Sequence, residues 1–211
     1  MSDSKKTTIY VILINKSFER LNDMRLIIGI TGASGVIMGY RLLKVLHVLP
    51  DVQTELIITE GAEVTFSLET KIRLSDVKAL ADVVHDNKNM AASISSGTYK
   101  TDGMIVIPCS MKTLAGIASG YAENLLLRAA DVCLKENRRV VLVPRETPLS
   151  KIHLRNLKTA ADAGCTIIPP MLTFYNEADT IDKQIDHILG KILQQFDIEY
   201  KNFKSWNDKH N

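Results

Sequence analysis

From Met24 onward the sequence alternates between two periodicities, and the alternation leaves few folds open. Short β-rich apolar runs occupy 26–30, 54–58, 104–107, 140–143 and 166–168. Each is bounded by polar or turn residues, the pattern of strands buried on both faces. Helical spacing fills the intervals, at 36–48, 60–69, 75–85, 121–136, 150–164 and 180–195. In the first, Val36, Tyr40, Leu43 and Leu46-His47 fall on one face. In the fourth, Leu125, Leu126, Ala129, Val132 and Cys133 form one stripe. Ser150 suits an N-cap and Gly164 a helix stop. Strands that alternate with helices predict a parallel sheet with crossover connections. The expected architecture is α/β: a three-layer, flavodoxin-like (Rossmann-like) sheet of about five parallel strands in the order 2-1-3-4-5, with helices on both faces. The stretch 86–103 shows neither period and reads as a surface excursion before the third strand.

A chain of 211 residues with 45% apolar content suits one compact domain, expected over 24–211. Residues 1–23 read as an N-terminal extension or the product of an upstream start. The alternative is an extra edge strand at 8–14. The apolar run there is too short for a signal-peptide core and lacks small cleavage residues. No segment has the length of a membrane-spanning helix. With 26 basic and 24 acidic residues the formal charge is +2, which leaves no electrostatic footprint for nucleic acid. Three cysteines, widely spaced and odd in number, fit no zinc spacing and point to a reducing, cytoplasmic setting without a bound metal.

Residues 29–35 read GITGASG, directly after the first apolar run. The spacing G-x-x-G-x-x-G differs from the dinucleotide fingerprint G-x-G-x-x-G. Glu60, after the second strand, is weak support as its ribose acid. The pair Tyr40-x-x-x-Lys44 lies in the first helix, where it cannot serve as the catalytic pair of a short-chain dehydrogenase. What remains is a loop able to aim N–H groups at an anion, aided by the helix dipole and the Ser34 hydroxyl. A tight turn without ligand is the alternative.

A second loop strengthens the case for a site. Ser110, Met111, Lys112 and Thr113 follow the third strand, which Pro108 is expected to end. In a 2-1-3-4-5 sheet, strands one and three are neighbours at the topological switch point, where ligands bind. The fourth strand adds VPRETP, with Arg145 and Glu146 at the same edge. Arg128 and Lys135, seven apart on one helix, are two cations on one face, placed for a phosphate or for solvent. Cys109 has no spaced histidine partner and reads as a core cysteine rather than a nucleophile.

Several separated blocks then carry a resemblance: TGASG (31–35), DGMIVIPCSMKTLAGIASGYAENLLLRAADVCLKE (102–136), LVPRETPLSKIHLRN (142–156), PPM (169–171) and FYN (174–176). In this order they resemble the flavin prenyltransferase family, the UbiX/Pad-type group formerly classed with the phenolic acid decarboxylases. The resemblance covers about 24–207, including Trp206. It implies a flavodoxin-like fold, a homododecamer and a metal-independent transferase. Such an enzyme moves a dimethylallyl group from dimethylallyl monophosphate to N5 and C6 of reduced FMN. The product serves a UbiD-type decarboxylase.

Position by position, the resemblance assigns Gly32, Ala33, Ser34, Thr59, Ser110, Met111, Lys112, Thr113 and Arg145 to FMN, with Ser34 near N5. Arg128, Lys135, Glu146 and Tyr175 are implied around the dimethylallyl phosphate. Glu69 resembles a glutamate that reaches a neighbouring subunit's site. Lys191 stands where relatives often carry arginine, so the charge is kept and the bidentate fork is lost. Glu146, Ser34, Lys135 and Glu69 are the expected catalytic set. The rival enzyme reading is a flavoprotein cysteine decarboxylase of the same fold. It is disfavoured because PPMLTFYNEADT lacks that group's Asn-x-x-Met-Trp and His47 lies too late in the first helix. The other rivals are an accessory component of an aromatic acid decarboxylase complex and a flavodoxin-like electron carrier. Near-neutral charge and the Arg128, Lys135, Arg145 and Glu146 set disfavour the carrier.

Overall fold

A computed structural model of the chain describes residues 24–206. The expected extension over 1–23 lies outside the described residues. Among the described residues, six parallel strands form one sheet: β1 (Met24–Ile30), β2 (Val52–Ile58), β3 (Val83–His85), β4 (Gly103–Cys109), β5 (Arg139–Pro144) and β6 (Cys165–Ile167). Their spatial order is β3-β2-β1-β4-β5-β6. The α-helices that connect or cover them are α1 (Val36–His47), α2 (Glu60–Glu69), α3 (Leu74–Lys78), α4 (Met111–Ser119), α5 (Leu125–Lys135), α6 (Lys151–Asp162) and α7 (Ile181–Leu193).

The central strands are apolar on both sides because both faces are covered. Leu26, Ile28 and Ile30 of β1 pack with α1, α2 and α7, through Leu42, Leu46, Phe66 and Leu189. The opposite side, Ile27 with Met104 and Val106, packs with α4 and α5 through Leu114, Leu126 and Cys133. Burying each such side chain contributes roughly 1.5–3 kcal/mol, so the period-two pattern fixes the register of the inner strands. Three layers result, as expected.

Two expectations are corrected. The predicted helix over 75–85 is a short helix, α3, followed by the sixth strand, β3, at the sheet edge. With β3 set aside the order becomes the expected 2-1-3-4-5. Both exposed valines of β3 sit on an edge strand, where burial cannot supply a pattern to read. Pro108 does not end its strand: β4 continues to Cys109, with a register shift against β5 between Val106 and Cys109. Proline is tolerated there because the ladder is already irregular.

A buried polar cluster pins the excursion after β3. Glu55 lies in β2, 2% exposed, inside an otherwise apolar strand. Its carboxylate is 2.5 Å from His85 Nε2 and accepts from the Tyr99 hydroxyl at 2.5 Å, with Arg25 Nε at 3.6 Å. A carboxylate in that position is tolerable only because it is paired. Arg138 donates to the carbonyls of Gly97 and Tyr99, and Arg128 Nε to that of Ser95. The segment without periodicity is thus a fixed wall beside α5.

Candidate active site

An open cleft of about 1240 Å³ lies beyond the carboxyl ends of β1, β2 and β4, at the switch point of the sheet. Three helices begin on it. Thr59 Oγ1 accepts from the Ala62 N–H and caps α2; Ser110 Oγ accepts from the Thr113 N–H and caps α4. Asn124 Oδ1 accepts from the Leu127 N–H and caps α5. Each cap is a serine, threonine or asparagine that satisfies one orphan donor, and at α2 and α4 the first two helical N–H groups remain beside the cleft. The positive ends of α2 and α4, with the Thr59, Ser110 and Thr113 hydroxyls between them, suit a phosphate. Asn87 ties the third in place: its backbone carbonyl accepts from the Leu125 N–H and its side-chain carbonyl from the Leu126 N–H.

Gly32 lines the same cleft. A Cβ built there would come within 2.9 Å of the Gly61 backbone, so only glycine allows the first and second loops to approach. Lys112 Nζ stands 3.7 Å from Glu123, and Lys88 Nζ 2.5 Å from Glu60. Glu60 therefore pairs with a lysine across the cleft. Lys44 covers the Tyr40 ring at 5.8 Å on α1.

Of the expected FMN residues, Gly32, Thr59, Ser110, Lys112 and Thr113 line this cleft. Ala33 turns inward and is buried, while Ser34 and Met111 are half-buried beside it. Arg145 and Glu146 are exposed on the turn after β5. The Arg145 N–H donates to the Cys109 carbonyl at 3.2 Å, which stitches that turn to the end of β4. Glu146 Oε1 accepts from the Thr147 N–H at 2.9 Å.

The remaining expected residues lie elsewhere in the chain. Arg128, on α5, pairs with Asp131 at 2.6 Å. Lys135 ends α5 and pairs with Glu136. Tyr175 and Lys191 belong to a third group, around α7. There the Tyr175 hydroxyl is 3.5 Å from His187 Nε2 and its ring meets Trp206 edge-on at 4.9 Å. Lys191 Nζ lies 5.4 Å over the Phe203 ring. Glu69 Oε2 accepts from the Gly35 N–H at 2.8 Å. Gly35 caps α1 with φ +98°, a conformation glycine adopts without cost. The positive end of α1, expected to face a phosphate, is thus occupied by a carboxylate from the same chain. The anion-ready ends are those of α2 and α4, because Asn87 and Asn124 take the first three N–H groups of α5.

Cys109 is fully buried, and burial, with Cys165 adding to it, pushes its thiol far above the usual range. Burial likewise raises Cys133 and Cys165 to about 11. A thiol that stays protonated is no nucleophile, which agrees with the core reading of Cys109.

Asn87, Asn124 and Gly61 also line the cleft and had not been expected. Asn124, ahead of an apolar stripe, carried a legible capping signal. Asn87 sits within DNKN, where only the tertiary contact gives it a role. Among the described residues no helix is long and apolar enough to cross a membrane.

Comparison with known proteins gives concordant findings. The Flavoprotein family model matches residues 14–197. A probable UbiX-like flavin prenyltransferase of Sedimentibacter hydroxybenzoicus is 67% identical over 183 residues, 87% of this chain and 97% of that protein. A dodecameric FMN-dependent UbiX-like decarboxylase from Escherichia coli O157:H7 superposes with TM-score 0.85 at 50% identity, covering 87% of this chain and 99% of the other. A structure of AnUbiX (PadA1) with FMN and dimethylallyl pyrophosphate superposes with TM-score 0.85 at 48% identity, covering 87% and 97%.

Proposed function

The chain belongs to the UbiX-like flavin prenyltransferase family, and we propose that it transfers a dimethylallyl group from dimethylallyl monophosphate to N5 and C6 of reduced FMN. The observation that carries this reading is the meeting of two capped helix N-termini, those of α2 and α4, on one cleft at the switch point. That donor set fits the FMN phosphate: Thr59, Ser110 and Thr113 supply hydroxyls, the helix ends supply N–H groups, and Lys112 supplies a cation. Reduced FMN offers nucleophilic N5 and C6 positions. The allylic C–O bond breaks with its electron pair on phosphate, and N5 bonds to the allyl carbon with loss of its own proton. The remaining C=C bond then takes up a proton, C6 bonds to the resulting tertiary carbocation, and the C6 proton is lost.

The chain's own groups act on the phosphate side of this exchange. Arg128, Lys135, Tyr175 and Lys191 hold the allylic phosphate and stabilise the charge that develops as the bond breaks. Glu146 delivers a proton to the leaving oxygen and then takes one back. Arg145 and Ser34 face the flavin, Ser34 near N5, and Glu69 sets the loop that carries Ser34. Lysine at 191 makes the choice between monophosphate and diphosphate a property of this chain, because an ammonium is a point charge where guanidinium is a fork.

Residues of the phosphate group lie on three separate parts of one chain, so neighbouring copies complete the site. Exposed apolar side chains support assembly: Met171, Leu172, Phe174 and Ile181 on one segment, with Leu149, Ile152 and Leu154 at α6. Apolar clusters of that kind mark interfaces, and a homododecamer is the proposed form. The product, prenylated FMN, passes to a UbiD-type decarboxylase of aromatic or phenolic acids in the cytoplasm.

The test is transfer of activity. The protein is incubated without oxygen with reduced FMN and dimethylallyl monophosphate, and the protein-free filtrate is added to an apo UbiD-type decarboxylase. Activation is expected. A filtrate that leaves the decarboxylase inert, beside an active prenylated-FMN control, contradicts the proposal.

A further inference from the structure

We propose that Thr31 is a positioning residue for FMN. Its hydroxyl sets the spacing between the two loops that hold the flavin phosphate, without touching the flavin. This inference rests on the reading of the cleft as the FMN site. Thr31 is 1% exposed and does not line the cleft. Its Oγ1 donates to the Pro108 carbonyl at 2.8 Å and accepts from the Ser110 N–H at 2.8 Å. Its own N–H donates to the same carbonyl at 3.3 Å.

The location explains the need. The β1–β4 ladder runs from Leu26↔Gly103 to Gly29↔Val106 and stops there. Beyond that point the β4 register also shifts against β5. The two strand ends that carry the phosphate loops therefore leave the ladder just before they reach the cleft. The Thr31 hydroxyl takes over the ladder's role, as donor to one strand end and acceptor from the residue that caps α4. Ser110, Lys112 and Thr113 all follow that held N–H. Without the hydroxyl, the Ser110 N–H loses its partner and the α4 end is free to shift relative to Gly32.

Thr31→Ala and Thr31→Ser test this, because they differ only in the hydroxyl. FMN affinity is read by quenching of flavin fluorescence, and initial rates are read against FMN and dimethylallyl monophosphate. Thr31→Ala is expected to weaken FMN binding about tenfold or more, while Thr31→Ser stays near the parent. At saturating FMN, kcat and the KM for dimethylallyl monophosphate of Thr31→Ala return to near the parent values. Equal FMN affinity in Thr31→Ala and the parent overturns the proposal. So does equal loss in both variants, which assigns the effect to the missing methyl group. Amide exchange of Ser110 without FMN separates the two levels of inference. Faster exchange in Thr31→Ala than in Thr31→Ser supports the loop clamp even if the parent protein fails to bind FMN, a failure that would overturn the functional reading instead.

Discussion

Glu146 stands on the exposed turn after β5, where one oxygen accepts from the Thr147 N–H, and its proposed role is proton transfer to the leaving oxygen. Glu146→Gln keeps the shape and the backbone bond and removes the proton-transfer capacity. Turnover is expected to fall by about 100-fold, with the FMN dissociation constant unchanged within about twofold. Equilibrium titration beside single-turnover kinetics checks it. Loss of FMN binding would show that the residue serves the flavin and not the allylic phosphate. At this scale the sequence was legible where chemistry is local. Thr59 and Ser110 each lie between an apolar run and a helix, so their capping role follows from neighbouring residues. Glu69 drew notice only by resemblance. Its bond to the Gly35 N–H spans 34 residues, and no local pattern encodes that.

Among the elements, β3 and the wall behind it were the least legible. An edge strand of three residues with two exposed valines has no alternation to betray it, and helical spacing claimed its residues. What holds it is Glu55, whose oddity in VQTELII was visible but whose partners, His85 and Tyr99, lie 30 and 44 residues away. Glu55→Ala strands those partners and is expected to destabilise the fold by about 3 kcal/mol, measured by urea unfolding. Limited proteolysis should then cut first within 86–102. An unchanged unfolding midpoint would mean the cluster is not holding the wall.

The α7 element carries a pH dependence. His187 is buried, its Nδ1 has no partner, and burial, then the Lys191 cation, lower its pKa from the usual 6.5. The unfolded chain therefore binds the proton more readily than the folded one. This group's share of stability is complete above about pH 6.5 and is lost as pH falls from there through the lowered folded value. His187→Phe preserves the stacking on Phe203 (5.2 Å) and should flatten that acid limb in melting curves. Parallel curves for the two proteins would show that another group dominates.

At the scale of the whole molecule, the residues of the proposed site are not gathered in one place. The cleft is built by one chain, while Lys135 at the end of α5 and the Tyr175–Lys191 group around α7 stand apart from it. Phe174, 84% exposed, and Met171, 69% exposed, sit on the segment leading into α7, next to Tyr175. Phe174→Glu should lower the assembly's mass in light scattering and remove prenyl transfer together. A small, active species would contradict a site shared between copies. The alternation of inner strands and helices followed from the two sequence periods, because strands buried on both faces read as apolar runs. Their order, and the cleft at the switch point, came from the doubly wound architecture that the alternation implies. How separate chains meet left no such trace in the sequence, since an interface residue and an exposed apolar residue look alike in one chain.

The most direct measurement is the mass of the flavin after anaerobic incubation of the protein with reduced FMN and dimethylallyl monophosphate. A flavin heavier than FMN by one C5H8 unit, formed with one inorganic phosphate per flavin, is the predicted result. Recovery of unmodified FMN, with the allylic phosphate intact, would contradict it.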